Sequence, residues 1–88
     1  MSFIHSREYL EAGDVVVVEC SHQCNVMLTT DSNFSNYKHS GHFQYHGGNF
    51  KRFPARIEAP RTGYWNITID LGSGRANIKY SINIIRRS

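Results

Sequence analysis

Gly63-Tyr64-Trp65-Asn66-Ile67-Thr68-Ile69-Asp70-Leu71 alternates with a period of two. Trp65, Ile67, Ile69 and Leu71 fall on one side, and Tyr64, Asn66, Thr68 and Asp70 on the other. Successive side chains of a strand point to opposite faces, so this stretch predicts a strand with one dry face and one wet face. The pattern returns downstream. Ala76, Ile78, Tyr80, Ile82 and Ile84 alternate with Arg75, Asn77, Lys79, Ser81 and Asn83. Gly72-Ser73-Gly74 between the two runs is a turn signal, and the pair predicts a β-hairpin ending in a long strand from Arg75 to Ile85.

Upstream the signals are shorter. Glu11-Ala12-Gly13-Asp14 marks a turn before the β-branched run Val15 to Val18, which predicts a strand buried on nearly both faces. Ser21-His22-Gln23 then connects to Asn25 to Thr29, a second short strand expected to pair with the first. Phe3 to Leu10 is expected as an edge strand or a covering loop. Asp31 to Ser40 is the one place a helix could start, with Asp31 or Ser32 as cap. Its asparagines and serines argue for a single turn instead. His42 to His46 alternates briefly and Gly47-Gly48 is expected to end it. Phe53-Pro54 means that any strand within Phe50 to Ala59 is either broken or at an edge, because proline has no N–H to donate.

These readings predict one all-β domain over residues 1–88: a small β-sandwich of six to eight mostly antiparallel strands with at most one short helical turn. Trp65, Ile67, Ile69, Ile78, Tyr80, Ile82, Val16 and Val18 are the expected core, with one of Val26 and Met27 and one of Phe43 and Tyr45. Eighty-eight residues hold one core and little more, since a chain this short buries only roughly 60–65% of its unfolded surface. Hydrophobic content of 40% and charged content of 19% suit a folded domain and not a disordered chain. The net charge of +3 permits an acidic partner without requiring one. The start of the chain, Met-Ser-Phe-Ile-His-Ser-Arg-Glu, lacks the apolar run of a signal peptide, and no stretch reaches the roughly 18 apolar residues of a membrane span. A cytoplasmic protein with free thiols, and no membrane partner, is the expectation.

Several segments together resemble a known family. Ala12-Gly13-Asp14-Val15-Val16-Val17, Asn25-Val26-Met27-Leu28, Asp31-Ser32-Asn33-Phe34 with Tyr37-Lys38, and Gly63-Tyr64-Trp65-Asn66 with Ile69-Asp70 occur in that order. They look like a family of short bacterial all-β domains of unknown function, some members of which are fused to TIR signalling domains. The resemblance runs from Phe3 to Ile85. It implies a compact β-sandwich with an accessory or sensing role, and it supplies no catalytic residue.

Four groups of residues have chemistry worth weighing. Cys20-Ser21-His22-Gln23-Cys24 holds two thiols and an imidazole, which are zinc-ligand types. The spacing is C-x₃-C and no second cysteine pair exists, so two cysteines flanking a hairpin turn, one or both partly buried as small hydrophobes, is the better reading, and no metal is expected. His39, His42 and His46 do not converge, since His42 and His46 on one strand would lie roughly 13 Å apart. Tyr45 to Arg56 interleaves Phe50 and Phe53 with Lys51, Arg52 and Arg56, the composition of a single-strand nucleic-acid groove. The competing reading sends both phenylalanines into the core. The Asp31 to Lys38 loop offers Asn33, Tyr37 and Lys38 as the rim of a ligand site.

Motifs for nucleophilic, phosphate-binding or zinc-protease chemistry are absent from the sequence. The function expected is therefore a non-enzymatic binding or sensing module for a protein or small ligand, without a cofactor. Its candidate residues are Asn33, Tyr37, Lys38, Tyr45, Lys51, Arg52 and Arg56. The alternative is single-stranded nucleic-acid binding through Lys51, Arg52, Arg56 and nearby rings. The expected assembly is a monomer, or a homodimer through the exposed edge of the C-terminal strand.

Overall fold

The computed structural model describes residues 3–71 and 78–87. Its strands are β1 (Phe3–Leu10), β2 (Val15–Cys20), β3 (Cys24–Thr29), β4 (His46–Phe50), β5 (Ala55–Glu58), β6 (Gly63–Asp70) and β7 (Tyr80–Ile85), with one helix, α1 (Asp31–Lys38), between β3 and β4. They form two antiparallel sheets, ordered β1-β6-β3-β4 and β5-β2-β7. The apolar faces of the two sheets share one core. Trp65, Ile67 and Ile69 of β6, Val26 and Leu28 of β3, and Leu10 of β1 meet Val16 and Val18 of β2 and Ala55 and Ile57 of β5. Ile82 and Ile84 of β7 pack against that core from a half-buried position. Full burial of each such aliphatic side chain contributes about 1.5–3 kcal/mol, so this layer is the main source of the domain's stability. The architecture is the all-β sandwich that the alternation predicts.

The strand partners differ from expectation. β6 is not in a hairpin with the C-terminal strand. It lies between β1 and β3, with Ile69 opposite both Ile4 and Val26. β7 lies in the other sheet beside β2, with Ile84 opposite Val16. Periodicity reveals which face of a strand is dry, but not which strand is its neighbour. Two strands with matching dry faces bury them equally well from opposite layers. The expected loop Gly72–Gly74, and residues 75–77 of the expected second strand, lie outside the described residues.

β2 and β3 likewise do not pair with each other, because Ser21–Gln23 carries the chain from one sheet to the other. Val16 and Val18 point into the core, while Val15 and Val17 on the other face are half-buried. Gly47 and Gly48 do not end a strand. They sit inside β4, paired with Met27 and Val26. Gly47 has φ +117°, and a Cβ there would lie 2.1 Å from the Val26 carbonyl oxygen, so only glycine lets the backbones meet. Residues 42–45 form no strand. Tyr80, expected in the core, is about half exposed, and of Phe43 and Tyr45 it is Phe43 that packs against a core cluster while Tyr45 is about half exposed.

The face of β6 expected to be wet is the largest correction. Asn66 and Thr68 are buried beneath α1, which covers the outer face of the four-stranded sheet. An eight-residue helix is too short to hold itself together in water, so the helix is longer than the single turn expected only because tertiary contacts hold it. Thr30, not Asp31 or Ser32, is its cap and accepts from the Asn33 N–H at 3.3 Å. Phe34 and Tyr37 bury against Met27, with Phe3 and Phe43 at the margin, in a second, smaller core. Met27 and Val26 are thus both core residues, on opposite faces of β3.

At the C-terminal end of the helix, Gly41 N–H donates to Asn36 O at 2.8 Å and Ser40 N–H to Tyr37 O at 3.2 Å. Ser40 takes the left-handed conformation, φ 61°, that this closure needs. At the far end of the sandwich, wholly buried Asp14 accepts from Glu11 N–H (2.9 Å), Arg87 N–H (2.7 Å) and the Arg86 guanidinium (3.2 Å). The backbone bonds from Arg87 and Glu11, and then Arg86, hold its carboxyl below the usual carboxylate range. Asp14 therefore ties the chain after β7 to the β1–β2 turn.

Candidate functional site

A cleft of about 490 Å³ opens between the start of α1, the chain that follows it, and the turn at Arg61 that leads into β6. Leu28 and Thr29 of β3 and Trp65 of β6 contribute to its floor. Thr30 and Asn33 come from the helix cap, and Phe43-Gln44-Tyr45-His46 form the opposite wall. Asn33 holds the two walls in place. Its Nδ2 donates to Thr30 Oγ1 at 3.0 Å, and its Oδ1 accepts from the Gln44 N–H at 3.0 Å. Phe43 packs edge-on against Tyr37, at 5.3 Å between centroids, and leans on Tyr45 at 5.5 Å.

Trp65 is the chain's single tryptophan. Its indole N–H donates to Arg61 O at 3.0 Å, and the Arg61 guanidinium carbon lies 5.1 Å from the ring centroid. His46 meets the ring edge-on at 5.8 Å. The cleft therefore combines rings with a cation, an imidazole and the Asn33 and Gln44 amides. Such a combination suits binding and orienting a small polar molecule. A smaller cleft of about 200 Å³ lies behind Phe43 and Tyr45, which line both. Tyr37 and Asp70 line the smaller one, joined by a 2.5 Å bond from the phenol to the carboxylate. Burial raises the Tyr37 phenol well above its ordinary value, and Asp70 raises it further, so the phenol stays protonated.

A polar network runs beside the larger cleft. Arg7 grips Asp31 with two bonds, Nε to Oδ1 at 3.0 Å and Nη2 to Oδ2 at 2.8 Å. Asn66 Nδ2 donates to the same carboxylate at 2.7 Å. That leaves Asn66 Oδ1 facing His5, whose Nε2–H donates to it at 2.7 Å. The His5 ring stacks on Phe34 at 4.0 Å. Arg7 first, and then Asn66, pull the Asp31 carboxyl down to about 2. Asp31 in turn raises the Arg7 guanidinium. This network fastens the first turn of α1 to β1 and β6.

Asn33 and Tyr45 line the larger cleft, and Tyr37 and Tyr45 the smaller. Lys38 lines neither; its ammonium lies 4.9 Å from the centroid of the Phe34 ring, at the end of the helix. Lys51 and Arg52 are exposed in the bend after β4, and Arg56 on β5 is exposed. None of the three reaches either cleft, and the rings between them, Phe50 and Phe53, pack against the core. Arg61, Gln44, His46 and Trp65 were not among the expected site residues. Arg61 follows a proline in an unpatterned turn, and Trp65 reads as core, so no local signal marks them.

Among the described residues, no three His, Cys, Asp or Glu side chains are grouped to hold a metal ion. No described helix is long and apolar enough to cross a membrane. Searches of curated proteins and of solved structures found no match. The family model described as "Domain of unknown function (DUF1883)" matches residues 1–88, and the chain belongs to that family.

Proposed function

We propose that this domain is a non-enzymatic binding module that takes a small ligand in the cleft over Trp65. The observation that carries the reading is the convergence of Arg61, His46 and Gln44 with the Tyr45 and Trp65 rings around one space of about 490 Å³. A planar ligand with an acidic group fits that chemistry, with its ring against Tyr45 and its charge toward Arg61. A sensing role in a bacterial cytoplasm is what the resemblance to TIR-fused domains adds. The nucleic-acid alternative has less support, because Phe50 and Phe53 are turned to the core and leave Lys51, Arg52 and Arg56 without stacking partners.

The test is a screen of planar carboxylates and phosphates read by Trp65 fluorescence and thermal shift. Tyr45→Ala and Arg61→Ala should each weaken a genuine hit roughly tenfold, equivalent to about 1.4 kcal/mol. Hits indifferent to both changes would refute the site. Binding of a labelled single strand that is lost in Lys51→Ala/Arg52→Ala and collapses between about 50 and 200 mM salt would favour the alternative.

A further inference from the structure

The two cysteines lie at a junction that the cleft does not use. Cys20 is the last residue of β2 and Cys24 the first of β3, so they belong to different sheets. Only Ser21-His22-Gln23 separates them. That bend is held at both ends. Ser21 N–H donates to Lys79 O at 2.8 Å, and Ser21 Oγ accepts from Lys79 N–H at 3.0 Å. Gln23 Nε2 donates to Asn49 Oδ1 at 2.6 Å, and Asn49 Nδ2 donates to Asn25 Oδ1 at 3.0 Å. The pinned bend leaves Cys20 packed against the buried cluster to which Cys24 belongs, with the two thiols close enough to influence each other.

Their exposures differ. Cys24 is a member of the buried core, only 3% exposed. Cys20 is half-buried and lines an open groove of about 360 Å³ with Glu19, Ser21, Lys79, Tyr80 and Ser81. An oxidant arriving from solvent therefore meets Cys20 and not Cys24.

We propose that Cys20 and Cys24 form a reversible redox site, in which a hydroperoxide oxidises Cys20 and Cys24 resolves the product to a disulfide that links the two sheets. In the first step the Cys20 sulfur takes the terminal oxygen of the hydroperoxide. The O–O bond breaks, the sulfur becomes a sulfenic acid, and the peroxide is reduced to an alcohol, or to water for hydrogen peroxide. In the second step the Cys24 sulfur attacks the Cys20 sulfur. The S–S bond forms, the S–O bond breaks, and the Cys24 proton leaves with the hydroxyl as water. Two thiols and one hydroperoxide thus give one disulfide, one alcohol and one water.

Burial, with the Cys20 contact adding to it, pushes the Cys24 thiol up to about 12. Cys24 is thereby a poor first target, and its reaction depends on being held against Cys20. The division of labour follows: an accessible thiol that senses, and a protected thiol that resolves.

The experiment is intact-mass analysis of the native chain after millimolar hydrogen peroxide. The expected product is a monomer lighter by about 2 Da, with no thiol left to alkylate after unfolding and both restored by a reductant. Cys24→Ala should accumulate sulfenic acid at Cys20, captured by dimedone. Cys20→Ala should leave Cys24 unoxidised until the chain unfolds. Should either variant fail to fold, the wild-type mass decides alone. A product carrying two or three added oxygens, an intermolecular disulfide, or two thiols still open to alkylation would overturn the proposal.

Discussion

Thr68→Val is the substitution whose sign tests the packing of α1 on the sheet most directly. Thr68 is 1% exposed, and its Oγ1 has no hydrogen-bond partner among the described residues. A buried hydroxyl left unpaired costs about 1–3 kcal/mol relative to one that is satisfied. Valine keeps the shape and the β-branch and replaces the hydroxyl with a methyl group. The change should therefore stabilise the domain by about 1–2 kcal/mol, raising Tm by at least about 4 °C in a chain of this size. Asn66, two residues away on the same face and equally buried, should behave oppositely. Its amide joins Asp31 to His5, and Asn66→Leu should cost about 1–2 kcal/mol by stranding those partners. Urea unfolding followed by Trp65 fluorescence reads both, since this single tryptophan lies in the same strand and in the core. Destabilisation of 1 kcal/mol or more by Thr68→Val would show that the hydroxyl is hydrogen-bonded in solution. Stabilisation by both substitutions would mean that the face is not organised as described.

Asp31 sets an acid-side dependence. Its carboxyl is drawn to about 2 from an unfolded value near 3.8, so its contribution is fully present above about pH 4 and fades as pH falls through 2. Asp31 and Arg7 are about half exposed, so after screening the contribution is about 1 kcal/mol at most. The stability gap between wild type and Asp31→Asn, measured by urea unfolding, should shrink from pH 5 to pH 2, and a gap that stays constant would refute the assignment. Gly47→Ala should cost about 2–4 kcal/mol, combining the positive φ with a collision against the Val26 carbonyl. Gly48→Ala, whose Cβ would meet nothing within 4 Å, should cost clearly less; equal costs in thermal unfolding would show that β4 is paired differently.

The features legible in the sequence were those set by nearest neighbours along the chain. Alternation at Trp65 to Ile69 and at Val15 to Val18 identifies strands and their dry sides, because side-chain direction in a strand is a local property. Strand partners were not legible, because Ile69 opposite Ile4 and Ile84 opposite Val16 are matches between distant segments that many other pairings would satisfy. The helix was obscured at both ends. Its cap is Thr30, one residue before the candidates, and at its close a serine occupies the left-handed position where glycine is the usual signal, with Gly41 one step later. The site has the same character as the strand pairing. Asn33, Gln44, His46, Arg61 and Trp65 come from the helix cap, an unpatterned connection, a strand end, a turn and a core strand, and only the folded chain brings them to one cleft.

The polar face of β6 shows why a period of two is ambiguous. It reports that Tyr64, Asn66, Thr68 and Asp70 share a side, and water is only one thing that can satisfy such a side. Here the aromatic residues of α1 need a surface to cover, and Met27 and Phe3 supply its apolar part. Of the polar groups on the rest of that surface, Thr68 keeps a hydroxyl unpaired among the described residues, and two others find partners within the protein. Asn66 finds them in Asp31 and His5, and Asp70 in the Tyr37 phenol. Each of those partners lies on another element, so Asn66 and Thr68 are dry because the helix is there, and the helix persists because that part of the face receives it. The reading of that face of β6 as wet holds at exposed Tyr64 and fails at Asn66 and Thr68, which the eight residues from Asp31 to Lys38 cover in the folded chain.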